Sequence, residues 1–193
     1  MLMEYRPGLV IDEREDVYPP SEDSILLIES LDVHPDEKVL EIGCGSGVVS
    51  IHCAVNRCIV TAVDINPSAV ELTRDNAAKN NVPVSVMYSD LFENVNGYFD
   101  TIFFNLPYLP VDDEGMLAKA WSGGDDGMGP LPRLLSEMED HLTENGRLLI
   151  VVSSLMDQDR LKEALAGFNV TVKGTLPLFF EKLEVLEIRR RAE

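Results

Sequence analysis

Basic residues are scarce in this sequence relative to acidic ones. Its 193 residues include 16 Lys and Arg against 34 Asp and Glu, which gives a formal net charge of −18. Because proteins bind phosphate backbones through clustered Lys and Arg, duplex DNA or bare RNA is a disfavoured partner. A negative field favours a basic protein partner, although solubility alone would also account for the charge.

Long apolar runs are also missing. None approaches the roughly 20 residues that a membrane-spanning helix requires, and residues 1–10 lack the pattern of a signal peptide. We therefore expect a cytoplasmic protein without a membrane partner.

Cysteine is restricted to Cys44, Cys53 and Cys58, which lie close together in the sequence. An odd number of cysteines in a region that reads as strand, loop and helix argues against a disulfide framework. A zinc site requires paired Cys and His spacings, which His52 beside Cys53 does not supply. We expect three free, mostly packed thiols and no metal.

Apolar β-type runs alternate with helical patterns from residue 38 onward, which predicts an α/β fold with a mostly parallel, Rossmann-like sheet. The last two strands follow each other without a helix, which indicates a C-terminal antiparallel hairpin. The long irregular stretch 109–130 is predicted to be a functional loop. The predicted strands are 38–42, 58–64, 84–88, 98–104, 146–153, 169–176 and 182–190, and the predicted helices are 48–55, 67–80, 131–142 and 157–166.

Residues 41–47 read Glu-Ile-Gly-Cys-Gly-Ser-Gly and lie between the first predicted strand and its helix. Glycine permits a tight turn and a close approach of the backbone to a ligand. The spacing Gly-x-Gly-x-Gly differs from the Gly-x-Gly-x-x-Gly of dinucleotide-binding folds. We expect a nucleoside ligand that Glu41 faces across the turn and that is contacted by Gly43, Cys44, Gly45 and Gly47.

Two further acids follow the second and third predicted strands. Asp64 ends the second strand, where its carboxylate is placed to accept hydrogen bonds from two ribose hydroxyls, each contributing about 1.5–3 kcal/mol. Asp90 follows the third strand and is placed to hold the exocyclic amine of adenine. Ile65 and Leu91 are placed to line the base. Acids at three successive strand ends, together with the glycine turn, indicate a nucleoside-binding site.

Asn105-Leu106-Pro107-Tyr108 directly follows the apolar run 98–104, which is typical of a buried strand. Open α/β sheets bind ligands at the carboxyl ends of their strands. The Asn105 side-chain oxygen and the Leu106 carbonyl can accept both hydrogens of a planar amino group, and Tyr108 can pack on its face. Such bonds strengthen as positive charge builds on the nitrogen, so the motif predicts a catalytic site.

The sequence resembles the class I S-adenosylmethionine-dependent methyltransferases, and its 105–108 motif is similar to the Asn-Pro-Pro-Tyr of amino-group methylases. Residues 16–24 (Asp-Val-Tyr-Pro-Pro-Ser-Glu-Asp-Ser), 120–124 (Ala-Trp-Ser-Gly-Gly) and 181–186 (Glu-Lys-Leu-Glu-Val-Leu) narrow the likeness. They resemble the short archaeal and eukaryotic branch of the HemK-type protein glutamine methyltransferases. The resemblance spans essentially the whole chain, but Leu106 departs from it, because the family usually has proline there.

The resemblance implies a seven-stranded class I methyltransferase sheet in one domain, residues 1–193, in which residues 1–36 form an N-terminal extension with a cofactor-covering helix. It implies S-adenosyl-L-methionine as the cofactor and N5-methylation of a glutamine in the Gly-Gly-Gln loop of a class 1 translation release factor. A small zinc-binding activator subunit is implied as a candidate partner. The residues implied to contact the cofactor or target include Tyr18, Pro20, Ser24, Glu41, Gly43, Asp64, Asp90 and Asn105.

Two alternatives stay open. The two acceptors and the aromatic ring of the 105–108 motif would also suit the N6 amino group of adenine. An adenine-N6 methyltransferase acting on DNA or RNA is therefore the nearest competing enzyme. The charge of −18 and the lack of a target-recognition domain stand against it. The other alternative is a non-catalytic nucleoside-binding scaffold.

Overall fold

Short apolar runs form the strands of the structure, a computed structural model that describes residues 2–191. The helices are α1 (Glu22–Ser30), α2 (Val48–Val55), α3 (Pro67–Lys79), α4 (Leu131–Glu137) and α5 (Gln158–Leu165). The strands are β1 (Lys38–Ile42), β2 (Ile59–Asp64), β3 (Val84–Tyr88), β4 (Phe99–Asn105), β5 (Leu142–Ser153), β6 (Phe168–Pro177) and β7 (Lys182–Arg190). No helix within residues 2–191 is long and apolar enough to cross a membrane.

The seven strands form one sheet in the order β3-β2-β1-β4-β5-β7-β6. Strands β1 to β5 run parallel, whereas β7 pairs antiparallel with both β5 and β6. The predicted Rossmann-like sheet with a C-terminal antiparallel hairpin is therefore confirmed. Because the strand order changes direction between β1 and β4, the connections after these strands diverge and leave a crevice at the carboxyl edge of the sheet.

The helix predicted over residues 131–142 is wrong in extent, whereas the other predicted helices end within one residue of those observed. Helix α4 ends at Glu137, and a 3₁₀ turn covers Met138–His141. Leu142 already belongs to β5, where it pairs with Phe99. The spacing of apolar residues is compatible with Leu142 in either a helix or a strand. Its pairing with Phe99 of β4 places it in the strand.

Side chains of β4 alternate between two apolar cores, one on each face of the sheet. Ile102 and Phe104 pack with apolar side chains of α4 and α5, whereas Phe103 packs with those of α1 and α2. Both Ile102 and Phe103 are completely buried, and burial of a large apolar side chain contributes about 1.5–3 kcal/mol. The well-packed strand therefore holds its last residue, Asn105, in a defined position at the carboxyl edge.

Candidate active site

A cavity lies at the carboxyl edge of the sheet, beside the point where the strand order changes direction. The space in this first cavity amounts to about 800 Å³, a figure that includes the part open to solvent. Eleven residues predicted from the sequence line it: Tyr18, Pro20, Ser24, Glu41, Gly43, Cys44, Gly45, Asp64, Ile65, Asn105 and Pro107.

The turn between β1 and α2 requires glycine at two positions. Gly43 has a φ of +66°, and a Cβ atom there would lie 2.6 Å from Cε2 of Phe104. Gly47 has a φ of +78°, and its Cβ would lie 2.7 Å from Cγ2 of Thr73. L-amino acids with side chains rarely adopt such φ values. Gly47 does not line the first cavity, so its observed place is in the turn at the start of α2.

Glu41 lies near the end of β1, is only 4% exposed and lines the first cavity. Its Oε2 accepts a hydrogen bond of 2.9 Å from the Ser50 backbone N–H and another from the Ser50 hydroxyl. Burial raises the pKa of Glu41 to about 8, the Ser50 bonds oppose this, and Asp64 adds to it. A positively charged ligand group in the cavity would favour the ionised form.

Asp64 ends β2 and presents a largely buried carboxylate to the same cavity. Its Oδ2 accepts a hydrogen bond of 2.9 Å from Gly45 N–H, and its Oδ1 accepts one of 2.8 Å from Asn66 N–H. Burial raises the pKa of Asp64, whereas the backbone hydrogen bonds lower it. A carboxylate can accept about four hydrogen bonds, so both oxygens keep acceptor capacity for ligand hydroxyls.

The segment before α1 forms one wall of the first cavity through Tyr18, Pro20 and Ser24. Next to Ser24, Asp23 is 3% exposed. Its Oδ1 accepts hydrogen bonds from the Ser21 hydroxyl at 2.7 Å, the Ser24 N–H at 2.6 Å and the Ser24 hydroxyl at 3.1 Å. The buried carboxylate therefore holds the first turn of α1 against the cavity.

The 105–108 motif, which begins with the last residue of β4, separates the first cavity from a second one of about 500 Å³. Asn105 and Pro107 line the first cavity, whereas Leu106 and Tyr108 line the second. The four residues of the motif thus form a partition between two cavities that have different lining residues.

The two cavities share Tyr18 and Ala120, so they meet beside the motif. Apolar and aromatic groups such as Trp121 form most of the second cavity, and Asp23 supplies a carboxylate. The Tyr108 hydroxyl lies 3.4 Å from Oδ2 of Asp23. Burial, and then the charge of Asp23, raise the pKa of Tyr108 well above its usual value. Tyr108 therefore stays protonated and can donate a hydrogen bond.

Asn105 carries a buried side-chain oxygen, Oδ1, that has no hydrogen-bond partner within residues 2–191. An unpaired buried acceptor costs about 1–3 kcal/mol. Native proteins pair nearly all such groups, so an exception calls for a functional explanation. Because Asn105 lines the first cavity, this unpaired oxygen is the candidate acceptor for a ligand N–H.

The loop 109–130 folds back onto the motif. Leu109 N–H donates to the Trp121 carbonyl at 2.9 Å, and Gly123 N–H donates to the Leu109 carbonyl at 2.8 Å. The indole Nε1 of Trp121 donates to Asp113 Oδ2 at 2.9 Å. These bonds fix the loop as a common wall of both cavities.

Two residues predicted to contact the cofactor lie outside the first cavity. Asp90 forms an exposed ion pair of 3.0 Å with Arg133 of α4, which also pairs with Glu137. Leu91 has a φ of +48° and is buried in the core on the α4 side of the sheet. The assignment of Asp90 and Leu91 to the adenine stays a prediction.

Sequence reasoning missed several residues of the site. Asp23 sits in the first turn of a helix, where an acid is usual, so only its burial distinguishes it. The loop residues Met116, Leu117 and Lys119 line the first cavity. They lie in the stretch 109–130 that was predicted to be a functional loop, but nothing in its sequence singled out these three residues.

Cys44, Cys53 and Cys58 are buried free thiols, as expected. Burial raises the pKa of Cys44, so its thiol stays protonated. Across the described part of the chain, no three or more His, Cys, Asp or Glu side chains are grouped so as to hold a metal ion.

Comparison with known proteins decides the family. Residues 21–175 match the methyltransferase small domain. The chain belongs to this methyltransferase family. It is 41% identical over 190 residues to a Methanocaldococcus jannaschii protein provisionally named protein N5-glutamine methyltransferase, covering 95% of this chain and 96% of that one. It is 33% identical over 152 residues to the Mus musculus methyltransferase HEMK2, covering 70% of this chain and 71% of that protein.

A solved structure supports the same fold. A chain of the Mtq2–Trm112 complex of E. cuniculi, described as responsible for methylation of the eRF1 translation termination factor, superposes with a TM-score of 0.72. The superposition covers 91% of this methyltransferase and 99% of that chain at 23% identity, a level that shows the fold alone. The resemblance to class I and HemK-type methyltransferases is confirmed, and the scaffold alternative is set aside because the family is enzymatic.

The family and fold are those of enzymes that use S-adenosyl-L-methionine, and this methyltransferase uses the same cofactor. The residues present fit it. The glycine turn lines the first cavity beside the carboxyl groups of Glu41 and Asp64, which offer acceptors for ammonium and hydroxyl hydrogens. When bound, the cofactor supplies an electrophilic methyl group carried on a positively charged sulfur.

Proposed function

We propose that this methyltransferase methylates the N5 nitrogen of a glutamine side chain in the Gly-Gly-Gln loop of a class 1 translation release factor. The buried, unpaired Oδ1 of Asn105 carries the proposal, because it is an acceptor on the partition between two cavities. The name of the M. jannaschii relative and the eRF1 methylation ascribed to the E. cuniculi complex support this choice of target.

In this proposal the first cavity holds S-adenosyl-L-methionine. Asp64 accepts hydrogen bonds from the ribose hydroxyls, and Glu41 faces the amino-acid part. Asp90 and Leu91 remain assigned to the adenine end. The other residues assigned to the cofactor are Tyr18, Pro20, Ser24, Gly43, Cys44, Gly45, Gly47, Ile65 and Asn105.

The glutamine amide enters the second cavity and reaches the motif from there. An amide nitrogen is a weak nucleophile, because its lone pair is delocalised into the carbonyl. Asn105 Oδ1 and the Leu106 carbonyl accept its two N–H hydrogens, and both bonds strengthen as positive charge develops on nitrogen. Tyr108 packs against the planar amide, and Asp23 holds the tyrosine ring by its hydroxyl.

Leu106 replaces the proline that is usual in the family, and two features compensate for it. Its side chain is 2% exposed and belongs to the apolar core, which anchors the segment. Pro107 also restricts the backbone of the preceding residue to extended conformations. The Leu106 carbonyl therefore keeps the fixed direction that it needs to accept a hydrogen bond from the glutamine amide.

A small zinc-binding activator subunit is part of the proposal. The E. cuniculi complex of Mtq2 with Trm112 supports a small partner. The net charge of −18 suits a basic protein target. Because release factors act on cytoplasmic ribosomes, the proposal also places the enzyme in the cytoplasm.

Methyl transfer to a purified release factor tests the proposal. We expect mass spectrometry to find one added methyl group on the glutamine of the Gly-Gly-Gln loop, and none when that glutamine is replaced by alanine. Reactions with and without a zinc-binding activator subunit test the partner. Transfer of labelled methyl to DNA or RNA, but not to the release factor, would overturn the proposal in favour of adenine N6.

A further inference from the structure

The turn between β6 and β7 exposes two phenylalanine rings. Phe179 and Phe180 are 92% and 86% exposed, and their ring centroids lie 4.7 Å apart in an edge-to-face arrangement. The N–H of Leu178 donates to the Glu181 carbonyl at 2.8 Å and closes the turn. We name residues 178–181 the aromatic turn. Rings this exposed add little to the stability of the fold, so their position calls for another explanation.

The aromatic turn lies at the same edge of the sheet as both cavities. Ser153 ends β5, and its hydroxyl donates to the Glu181 carboxylate. On the other side of β5, Val151 pairs with Asn105 at the end of β4. The charge of Glu181 also contributes to the raised pKa of Tyr108. The turn therefore stands about two strand spacings, or roughly 10 Å, from the motif, on the side of the second cavity.

The surface around the second cavity is acidic. Trp121 in its wall binds Asp113, and Asp112, Asp113 and Glu114 are exposed beside it. These carboxylates and the net charge of −18 repel an anionic lipid surface. They repel a second copy of this chain for the same reason. They attract a basic protein, which is the partner that the charge distribution favours.

We propose that the aromatic turn is a docking surface for the folded protein substrate, a basic protein with an apolar patch close to its glutamine loop. The inference rests on the proposed function and names a second point of contact for the same substrate. Aromatic anchors surrounded by charged residues are typical of protein interfaces. The 105–108 motif binds only the amide of one side chain, so recognition of the whole protein requires a second contact surface outside the motif.

Substitution of both rings tests the docking surface. The double variant Phe179→Ser with Phe180→Ser is compared with wild type and with Tyr98→Ser, which removes a 63% exposed ring just before β4, at the opposite edge of the sheet. KM and kcat are measured with the intact release factor and with a short peptide that holds the Gly-Gly-Gln sequence. We expect the double variant to raise KM for the protein about tenfold. Its kcat and its kinetics on the peptide should stay unchanged, as should all parameters of Tyr98→Ser.

An unchanged KM for the intact protein would overturn the docking surface. A KM that rises equally for protein and peptide would also overturn it, because the rings would then act within the site. Binding of wild type, but not of the double variant, to vesicles of phosphatidylcholine and phosphatidylserine would assign the rings to a membrane. Loss of a wild-type dimer in the variant would assign them to self-association.

Failure of the proposed function gives a different result. If wild type transfers no methyl group to the release factor, the substrate assignment is wrong. Sedimentation of the same two proteins then decides the docking surface separately. Binding by wild type that weakens in the double variant supports it, whereas equal or absent binding overturns it.

Discussion

The hydroxyl of Tyr108 lies 3.4 Å from Oδ2 of Asp23, a residue 85 positions earlier in the chain. The contact connects the first turn of α1 to the 105–108 motif at the end of β4. Asp23 is 3% exposed, so its carboxylate supports the tyrosine ring from inside the protein. Under the proposed function, Asp23 is a positioning residue that acts on the substrate through Tyr108.

Asp23→Asn weakens this support while keeping a similar shape. We expect kcat to fall about tenfold with little change in cofactor affinity, and Tyr108→Phe to have a similar effect. Because both substitutions break one contact, the double variant should be little worse than either single one. A kinetic cycle of the four proteins measures this coupling. Independent, additive losses would show that the contact does not position Tyr108.

Asn105→Ala removes the unpaired acceptor on the partition. We expect methyl transfer to fall about 10²–10³-fold, the cost typical of losing one hydrogen-bonding group that stabilises a transition state. Cofactor affinity should change less, because Glu41 and Asp64 remain in place. Isothermal titration with the cofactor and single-turnover rates separate the two effects. A variant that methylates at the wild-type rate would show that Asn105 does not grip the amide.

Gly47→Ala should destabilise the fold through its turn. Its Cβ would lie 2.7 Å from Thr73 Cγ2 at a φ of +78°. Gly97→Ala is the matched control, because Gly97 has a φ of +97° but no atom within 4 Å of its Cβ position. Urea unfolding should show Gly47→Ala to be about 1–3 kcal/mol less stable than Gly97→Ala. Gly97→Ala is destabilised by backbone strain alone. Equal stabilities would mean that Thr73 moves aside without cost.

Glu41→Gln should make stability less dependent on pH. The ordinary pKa of Glu41 is 4.5, and burial raises it to about 8 in the folded protein. Protonated Glu41 therefore favours the folded state below the ordinary pKa, and this contribution is lost as the pH rises through about 8. Between these values wild type should lose up to about 1.4 kcal/mol per pH unit more than the variant. Parallel curves of unfolding free energy against pH would show that Glu41 is ionised in the folded protein.

The strands, the glycine turn and the strand-end acids could be predicted from the sequence, because each depends on local preferences. Alternating apolar runs specify strands wherever they occur, and the glycines of residues 43–47 mark a tight turn. The order of these elements places Glu41, Asp64 and Asn105 at one edge of any mainly parallel sheet. The family resemblance rested on these same local motifs.

The tertiary structure alone decided how those residues divide the space around them. It placed Asn105 and Leu106 on opposite sides of a partition, brought Asp23 to Tyr108, and joined Asp90 to Arg133. Each arrangement depends on contacts between segments that are distant in the chain, and no local period encodes such contacts. Most residues predicted for the site therefore line the first cavity, whereas the division of the space into two cavities arises from packing.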